Sequence, residues 1–367
     1  MSPFPHTWRR WIGLSRIDLP LLLALLLLIS AGLVVLYSAA NGSLPMVRSQ
    51  ALRTGAGLAA LWVLAHVPPV KLRLWAPWVY AGTLSLLLLV PFLGTGRSGQ
   101  HWLYLGAFYV QPAELMKLSV PLMVAAWLSQ RPLPPGWGAL GICAMIIGVP
   151  VALIAVQPDL GTALLVAASG GFVVFFAGMA WWRIGLLAAG VALSAPLAWV
   201  FLLHDYHRRR FLTFLNPEAD PLGDGWNIIQ SKVAIGSGGL SGQGWGMGTQ
   251  SRLEFLPEHT TDFIFAVLAE DFGFVGVCLI LALYLFIIGR SLWISANARD
   301  SFGRMLGSAL TLTLFVYVLV NASMITGLLP VVGVPMPLIS YGGTSAVTLL
   351  AGFGIVLSMH AHRKFHT

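Results

Sequence analysis

Two short stretches of this chain of 367 residues set charged side chains into otherwise apolar sequence. In Val110-Gln111-Pro112-Ala113-Glu114-Leu115-Met116-Lys117, Glu114 and Lys117 stand three residues apart, a spacing that puts both on one helix face. Charge held in hydrocarbon is expensive and is by default a functional hypothesis. The pair can close a helix bundle as an ion pair, or it can line a cavity that receives a charged head group, and the two roles are compatible. In Leu256-Pro257-Glu258-His259-Thr260-Thr261-Asp262-Phe263 a polar run passes straight into an apolar one. Pro257 and the threonines suit a helix start, which puts Asp262 in the first turn, at the mouth of the bundle that the helix joins. A carboxylate there can simply serve the helix terminus electrostatically. With Glu258 four residues earlier, the two carboxylates can also do acid–base work or bind a cation.

Between residues 204 and 261 lie His204-Asp205-Tyr206-His207-Arg208-Arg209-Arg210, Asp220-Pro221-Leu222-Gly223-Asp224-Gly225 and Gln230-Ser231-Lys232. Clustered arginines suit phosphate or pyrophosphate, and equally a belt of lipid head groups. Gly236-Ser237-Gly238-Gly239-Leu240-Ser241-Gly242-Gln243-Gly244 is not a nucleotide loop, since no Gly-Lys-Ser/Thr follows it and it does not open a helix after a strand. No His-Glu-x-x-His spacing points to zinc. Near the C-terminus, residues 330–337 begin and end in proline and lead into Leu338-Ile339-Ser340-Tyr341-Gly342-Gly343-Thr344. The amides of Gly342, Gly343 and Thr344 at a helix N-terminus could accept an anion, or the segment is a plain bend covered by neighbouring helices.

Long apolar helices must position these residues. The chain is 57% hydrophobic and 9% charged, with mean hydropathy +0.82, whereas a soluble domain carries roughly 25% charged residues. Apolar runs fall near 19–38, 50–67, 74–93, 112–129, 138–156, 160–180, 184–203, 262–289, 303–326 and 340–361. With about 20 residues needed per crossing, the fold expected is all-α and polytopic, about ten transmembrane helices with a long extracytoplasmic loop, residues 204–261, between helices 7 and 8. That loop carries seven of the thirteen Asp and Glu residues when Asp262 is counted with it. Its Phe211, Trp226, Ile228, Ile229 and Trp245 argue for ordered structure. The first run follows Arg9, Arg10 and Arg16 and outlasts the roughly 7–15 residues of a signal-peptide core, so it reads as an uncleaved helix.

Lys71, Arg73, Arg131, Arg183, Arg290, Arg299, Arg304, Arg363 and Lys364 fall on the same side as the N-terminal arginines, against Arg48, Arg53 and Arg97 opposite. Cytoplasmic retention of Lys and Arg then puts both termini inside and the long loop outside. The net charge of +8 thus records topology rather than nucleic-acid binding. Cys143 and Cys278 lie in apolar runs and read as core residues.

Several long motifs in order make the reading specific: Gln157-Pro158-Asp159-Leu160-Gly161-Thr162, Asn216-Pro217-Glu218-Ala219-Asp220-Pro221, Glu254-Phe255-Leu256-Pro257-Glu258, Thr261-Asp262-Phe263-Ile264-Phe265 and Pro337-Leu338-Ile339-Ser340-Tyr341-Gly342-Gly343. From first helix to last the chain resembles the SEDS family of peptidoglycan glycosyltransferases. Ile235-Gly236-Ser237-Gly238-Gly239-Leu240 is similar to the elongation branch more than to the division branch. The resemblance implies a single SEDS domain over 1–367, in the cytoplasmic (inner) membrane, that polymerises lipid II into glycan strands on the outer face during cell elongation. It implies that Asp262 is the essential loop aspartate and that Glu114 and Lys117 are functional polar residues of the membrane region. The family commonly carries His two residues before the aspartate, where this chain has Thr260, with His259 one earlier, so no catalytic role passes to the histidine. The implied partners are lipid II, the undecaprenyl-pyrophosphate-linked glycan, a class B penicillin-binding protein (the transpeptidase) and the elongation machinery.

Transglycosylation needs a base for the acceptor hydroxyl and stabilisation of the departing pyrophosphate. Asp262 is the candidate base, and an ordinary carboxylate near pKa 4 becomes adequate only when burial raises it. Lys117, Arg208 and Arg210 are candidate phosphate contacts, and Gln111, Lys232, Glu258 and Ser340 complete the candidate substrate site. A divalent cation (Mg²⁺ or Mn²⁺) on Asp262, with Glu258, is the competing role. No organic cofactor is expected. A lipid II flippase is the alternative activity and a scaffold for the transpeptidase a third; the concentration of carboxylates in one outer loop favours the polymerase.

Overall fold

A helix starts where its first free amides find an acceptor or where proline removes one, and both devices recur along this chain. Asp18, Asp159 and Asp300 each accept a bond of 3.0 Å from an amide three residues on; the helix that Asp18 caps also carries proline at its first positions, as do three others. The computed structural model describes residues 17–95, 101–104, 106, 109–157, 159–201, 205–219, 223–252 and 258–362. In chain order these form α1 (Leu19–Ala39), α2 (Leu44–His66), α3 (Pro69–Leu93), β1 (Leu103–Tyr104), β2 (Tyr109–Val110), α4 (Pro112–Leu128), α5 (Trp137–Val156), α6 (Leu160–Phe176) and α7 (Trp181–Phe201). There follow α8 (Asp205–Leu215), a 3₁₀ turn (Pro217–Ala219), α9 (Asp224–Gly238), α10 (Thr249–Arg252), α11 (Ile264–Ala296), α12 (Ser301–Ile325) and α13 (Gly343–Ala361).

Ten of these helices run 17 residues or more, and each expected apolar run falls on one of them. Six of them, α1, α3, α5, α11, α12 and α13, are long and apolar enough to cross a membrane, and α6 is a shorter apolar helix. Large apolar side chains turn outward from them, Trp78 at 79% and Phe92 at 82% exposure among them. The chain is a multi-pass membrane protein, because an aqueous surface of that kind would be untenable.

Several boundaries differ from the sequence expectation, and three of them have a physical reason in the contacts made. α2 begins at Leu44 rather than near 50, because Arg48, Gln50 and Arg53 belong to the helix instead of the preceding loop. Gln50 is buried, donating to the Ser340 carbonyl and accepting from the Gly342 amide, both at 3.2 Å. α13 begins at Gly343 rather than near 340, since Ser340 and Tyr341 are committed to the turn before it. α11 extends to Ala296 but breaks at Gly273, whose φ of 64° a side chain would strain. A Cβ there would also lie 2.3 Å from the Gly242 amide nitrogen, so the glycine-rich turn seats directly on the kink. The short antiparallel hairpin β1–β2, pairing Leu103 with Val110, is an addition to the all-α reading.

Within lipid, helices associate through close van der Waals fit at small residues. α2 and α13 do so at Gly57, where a Cβ would lie 2.6 Å from Leu350, and at Gly354, where it would lie 2.6 Å from the Leu61 carbonyl. One apolar cluster joins α1, α2, α11 and α13, and a second joins α3, α4, α5, α6 and α12. The polar residues described next lie between them. At one end Arg290 grips Asp18 through two bonds of 3.1 and 2.7 Å, tying the start of α1 to α11.

Candidate active site

Pro112 opens α4, and Glu114 and Lys117 follow within its first two turns. The spacing has the expected consequence: Lys117 Nζ donates to Glu114 Oε1 at 2.6 Å, with Lys117 only 8% exposed. Lys117 also donates to the hydroxyl of Tyr317 on α12, and its Nζ lies 4.6 Å from the centre of that ring. One residue before the helix, the Gln111 amide donates to Asp159 at 3.2 Å, while the other Asp159 oxygen caps α6.

Asp262 lies two residues before α11 rather than inside its first turn. Three consecutive carbonyls fix the approach to it: Thr260 accepts from the Tyr341 amide at 2.9 Å, Thr261 from the Ser340 hydroxyl at 2.6 Å, and Asp262 from the Asn321 side chain at 2.9 Å. Its carboxylate accepts no hydrogen bond among the described residues, and the cap of α11 is Phe263, so the carboxylate is not spent on the helix terminus. Burial and, second, the Glu258 carboxylate push Asp262 up to about 6, against the opposing charge of Arg210 and with a smaller push from Asp159.

Gln111, Glu114, Lys117, Asp159, Asp262 and Tyr317 all line one cavity of about 320 Å³. Its wall also includes Arg53, Trp102 and residues 341–345, which lead into α13. Arg53 lies over the Tyr341 ring at 4.9 Å. A narrower, largely apolar slot shares Glu114, Lys117 and Tyr317 with it and runs on between α4, α12 and α13 past Leu314, Leu349 and Phe353.

The other sequence candidates are not on the described wall of this cavity. Arg208 and Arg210 are half-buried on α8, and the charge of Arg210 reaches Asp262. Glu258 is exposed, accepting from the Thr261 hydroxyl at 2.7 Å. Lys232 is spread across Gly327, just past the end of α12, where a Cβ would lie 2.3 Å from its Cε. Ser340 is buried with its hydroxyl committed to Thr261 and to the Met336 amide, so it holds the loop under Asp262. Sequence reasoning gave no part in the site to Arg53, Tyr317 or Asn321. The signal available was polarity inside the apolar α12, where Tyr317 and Asn321 are one turn apart.

For a divalent cation, the cavity offers hard carboxylate oxygens on Asp262 and Asp159, with Glu258 beside Asp262. No cluster of three or more His, Cys, Asp or Glu exists among the described residues. A divalent ion here would accordingly have one or two protein carboxylates and would need water and phosphate oxygens to complete its shell.

The model of the FtsW/RodA/SpoVE cell cycle proteins matches residues 13–365. Over 349 residues the chain is 49% identical to the peptidoglycan glycosyltransferase MrdB of Escherichia coli K12, covering 95% of this chain and 94% of that protein. It is 33% identical to the stage V sporulation protein E of Bacillus subtilis, covering 95% and 98%. Its fold matches the rod shape determining protein RodA of Thermus thermophilus at TM-score 0.72 and 30% identity, over 95% of this chain and 97% of that one. It also matches, at TM-score 0.83 and 32% identity over 95% and 98%, a chain solved for the structural coordination of polymerization and crosslinking by a peptidoglycan synthase complex. With nearly its whole length matched, and with Asp262, Glu114 and Lys117 converging on one cavity, the chain belongs to the FtsW/RodA/SpoVE family.

Proposed function

We propose that this protein is a peptidoglycan glycosyltransferase that joins lipid II units into glycan strands at the outer face of the cytoplasmic membrane. The observation that carries it is the cavity itself, which combines a carboxylate poised near pKa 6 with a buried, fixed ammonium. Asp262 takes the proton of the acceptor sugar's hydroxyl as that oxygen attacks the anomeric carbon of the donor. The bond from that carbon to the lipid pyrophosphate breaks, and the electron pair leaves with the pyrophosphate. Single displacement at an α-linked centre gives a β-linked glycan and no covalent enzyme intermediate. Lys117 binds the pyrophosphate of the donor and meets the further charge that develops on it as it leaves, and Arg208 and Arg210 extend the positive field from α8. A Mg²⁺ or Mn²⁺ ion on Asp262, with Glu258, would add charge neutralisation at the pyrophosphate.

In the same reading the ten long helices all cross the bilayer, both termini are cytoplasmic and residues 204–261 form the extracytoplasmic loop, supported by the Lys and Arg asymmetry. The partner is a class B penicillin-binding protein, supported by the likeness to the synthase-complex chain. The test is polymerisation of purified lipid II by the purified protein, alone and with that partner. Glycan product in either condition, lost on chelation if the cation participates, supports the assignment. Product in neither, with lipid II crossing the membrane of proteoliposomes, would replace it with transport.

A further inference from the structure

α12 touches both functional ends of the cavity through residues one turn apart. Tyr317 is 1% exposed, accepts from Lys117 Nζ and lays its ring beside the same ammonium. Asn321 is fully buried, and its amide donates to two carbonyls, Asp262 at 2.9 Å and Val334 at 2.7 Å. Residues four apart on a helix are separated by about 6 Å along its axis and share a face. Among the described residues Asn321 is the side chain that ties Asp262 to α12, and no other residue of that helix bonds Lys117.

Those two contacts do different work. Lys117 has a long side chain with many rotamers, and a buried ammonium turned away from the cavity would be of no use there. The Tyr317 hydroxyl and ring, with Glu114, confine it to one. Asp262 lies in a turn, and a turn outside a helix moves unless its carbonyls are held. Thr260 and Thr261 are held by the loop before α13, but among the described residues only Asn321 ties Asp262 itself to the bundle core.

We propose that Tyr317 and Asn321 are positioning residues that together make α12 a ruler, setting the separation between the leaving-group end of the cavity at Lys117 and the base at Asp262. The proposal rests on the assignment of those two roles, and adds residues that act through the Lys117 ammonium and the Asp262 carbonyl. A 1 Å misplacement of a catalytic group can cost on the order of 100-fold in rate, and each half of the ruler controls a different kinetic quantity.

The experiment measures kcat, KM for lipid II and the pH profile for Asn321→Ala, Asn321→Ser and Tyr317→Phe, beside thermal unfolding in detergent. Asn321→Ala should lower kcat on the order of 100-fold with KM within about twofold. Its acidic limb should move to lower pH as Asp262 loosens into water. Asn321→Ser, which keeps a donor, should recover part of the rate. Tyr317→Phe keeps the ring and loses the hydroxyl, so KM should rise about tenfold while the acidic limb stays in place. Loss of activity in proportion to lost thermal stability, with the acidic limb unmoved in every variant, would reduce both residues to packing and overturn the ruler. If Asn321→Ala does not fold, Tyr317→Phe decides alone, and an unchanged KM overturns the proposal. Should Asp262→Asn retain turnover, the assignment of the base has failed; should it be inactive while the Asn321 variants are normal, only the ruler has.

Discussion

The Gln111 side-chain amide donates to Asp159 across 3.2 Å, and that bond joins the residue that caps α4 to the residue that caps α6 on the wall of the cavity. Asp159 thereby does two jobs with two oxygens, since the other caps its own helix. Its charge also contributes to the upward shift at Asp262. Asp159→Ala should lose the cap, at a cost of about 1 kcal/mol, seen as a lower melting temperature. Asp159→Asn keeps an acceptor for Thr162 and removes the charge. It should melt close to the parent and move the acidic limb of the activity profile to lower pH.

The buried pair on α4 separates a structural from a functional role. Removing one partner of a buried ion pair costs roughly 3–5 kcal/mol because the other charge is left alone, so Glu114→Gln and Lys117→Met should each melt lower. The double variant should regain much of that stability, and it should stay inactive because the cavity has lost its ammonium. Thermal unfolding in detergent beside lipid II polymerisation checks this. Recovery of activity in the double variant would return the pair to a purely structural role.

Asp262 should also reveal itself in stability. Its folded pKa of about 6 lies above the ordinary carboxylate value near 4, so folding disfavours its charged form. The folded state is penalised as pH rises from 4 through 6, and above that range the penalty levels off at about 3 kcal/mol. Asp262→Asn should therefore melt higher than the parent at pH 7.5 and about equally at pH 4. An equal or lower melting point at pH 7.5 would show that the carboxylate is not penalised.

Topology is accessible at Leu240, which is 74% exposed in the glycine-rich turn after α9. In a chain without Cys143 and Cys278, Leu240→Cys should react with an impermeant maleimide added outside the cell. Labelling only from the cytoplasmic side would invert the orientation.

The charges that break apolar runs made part of the site legible in the sequence. Glu114 and Lys117 could be paired by helical spacing alone, and they bond at 2.6 Å. The convergence of α2, α4, α6, α12 and α13 is tertiary, and no local pattern brings Asp159 beside Gln111 or Tyr317 beside Lys117. Arg48, Gln50 and Arg53 resemble loop in a hydropathy reading, yet Gln50 faces the interior and satisfies backbone groups of the loop before α13. Ser340 and Lys232 carried suitable chemistry, but one is committed to a turn and the other lies across the end of α12. Polar type marks which residues can act; only packing decides where they face.

The central claim is that Asp262 is the group whose ionisation permits glycan polymerisation. The direct measurement is the rate of lipid II polymerisation by the purified protein and its Asp262→Asn variant from pH 4.5 to 8.5. The account predicts an acidic limb with an apparent pKa of about 6 in the parent, and no turnover at any pH in a variant that still folds. Substantial turnover by Asp262→Asn, with the same acidic limb, would contradict it.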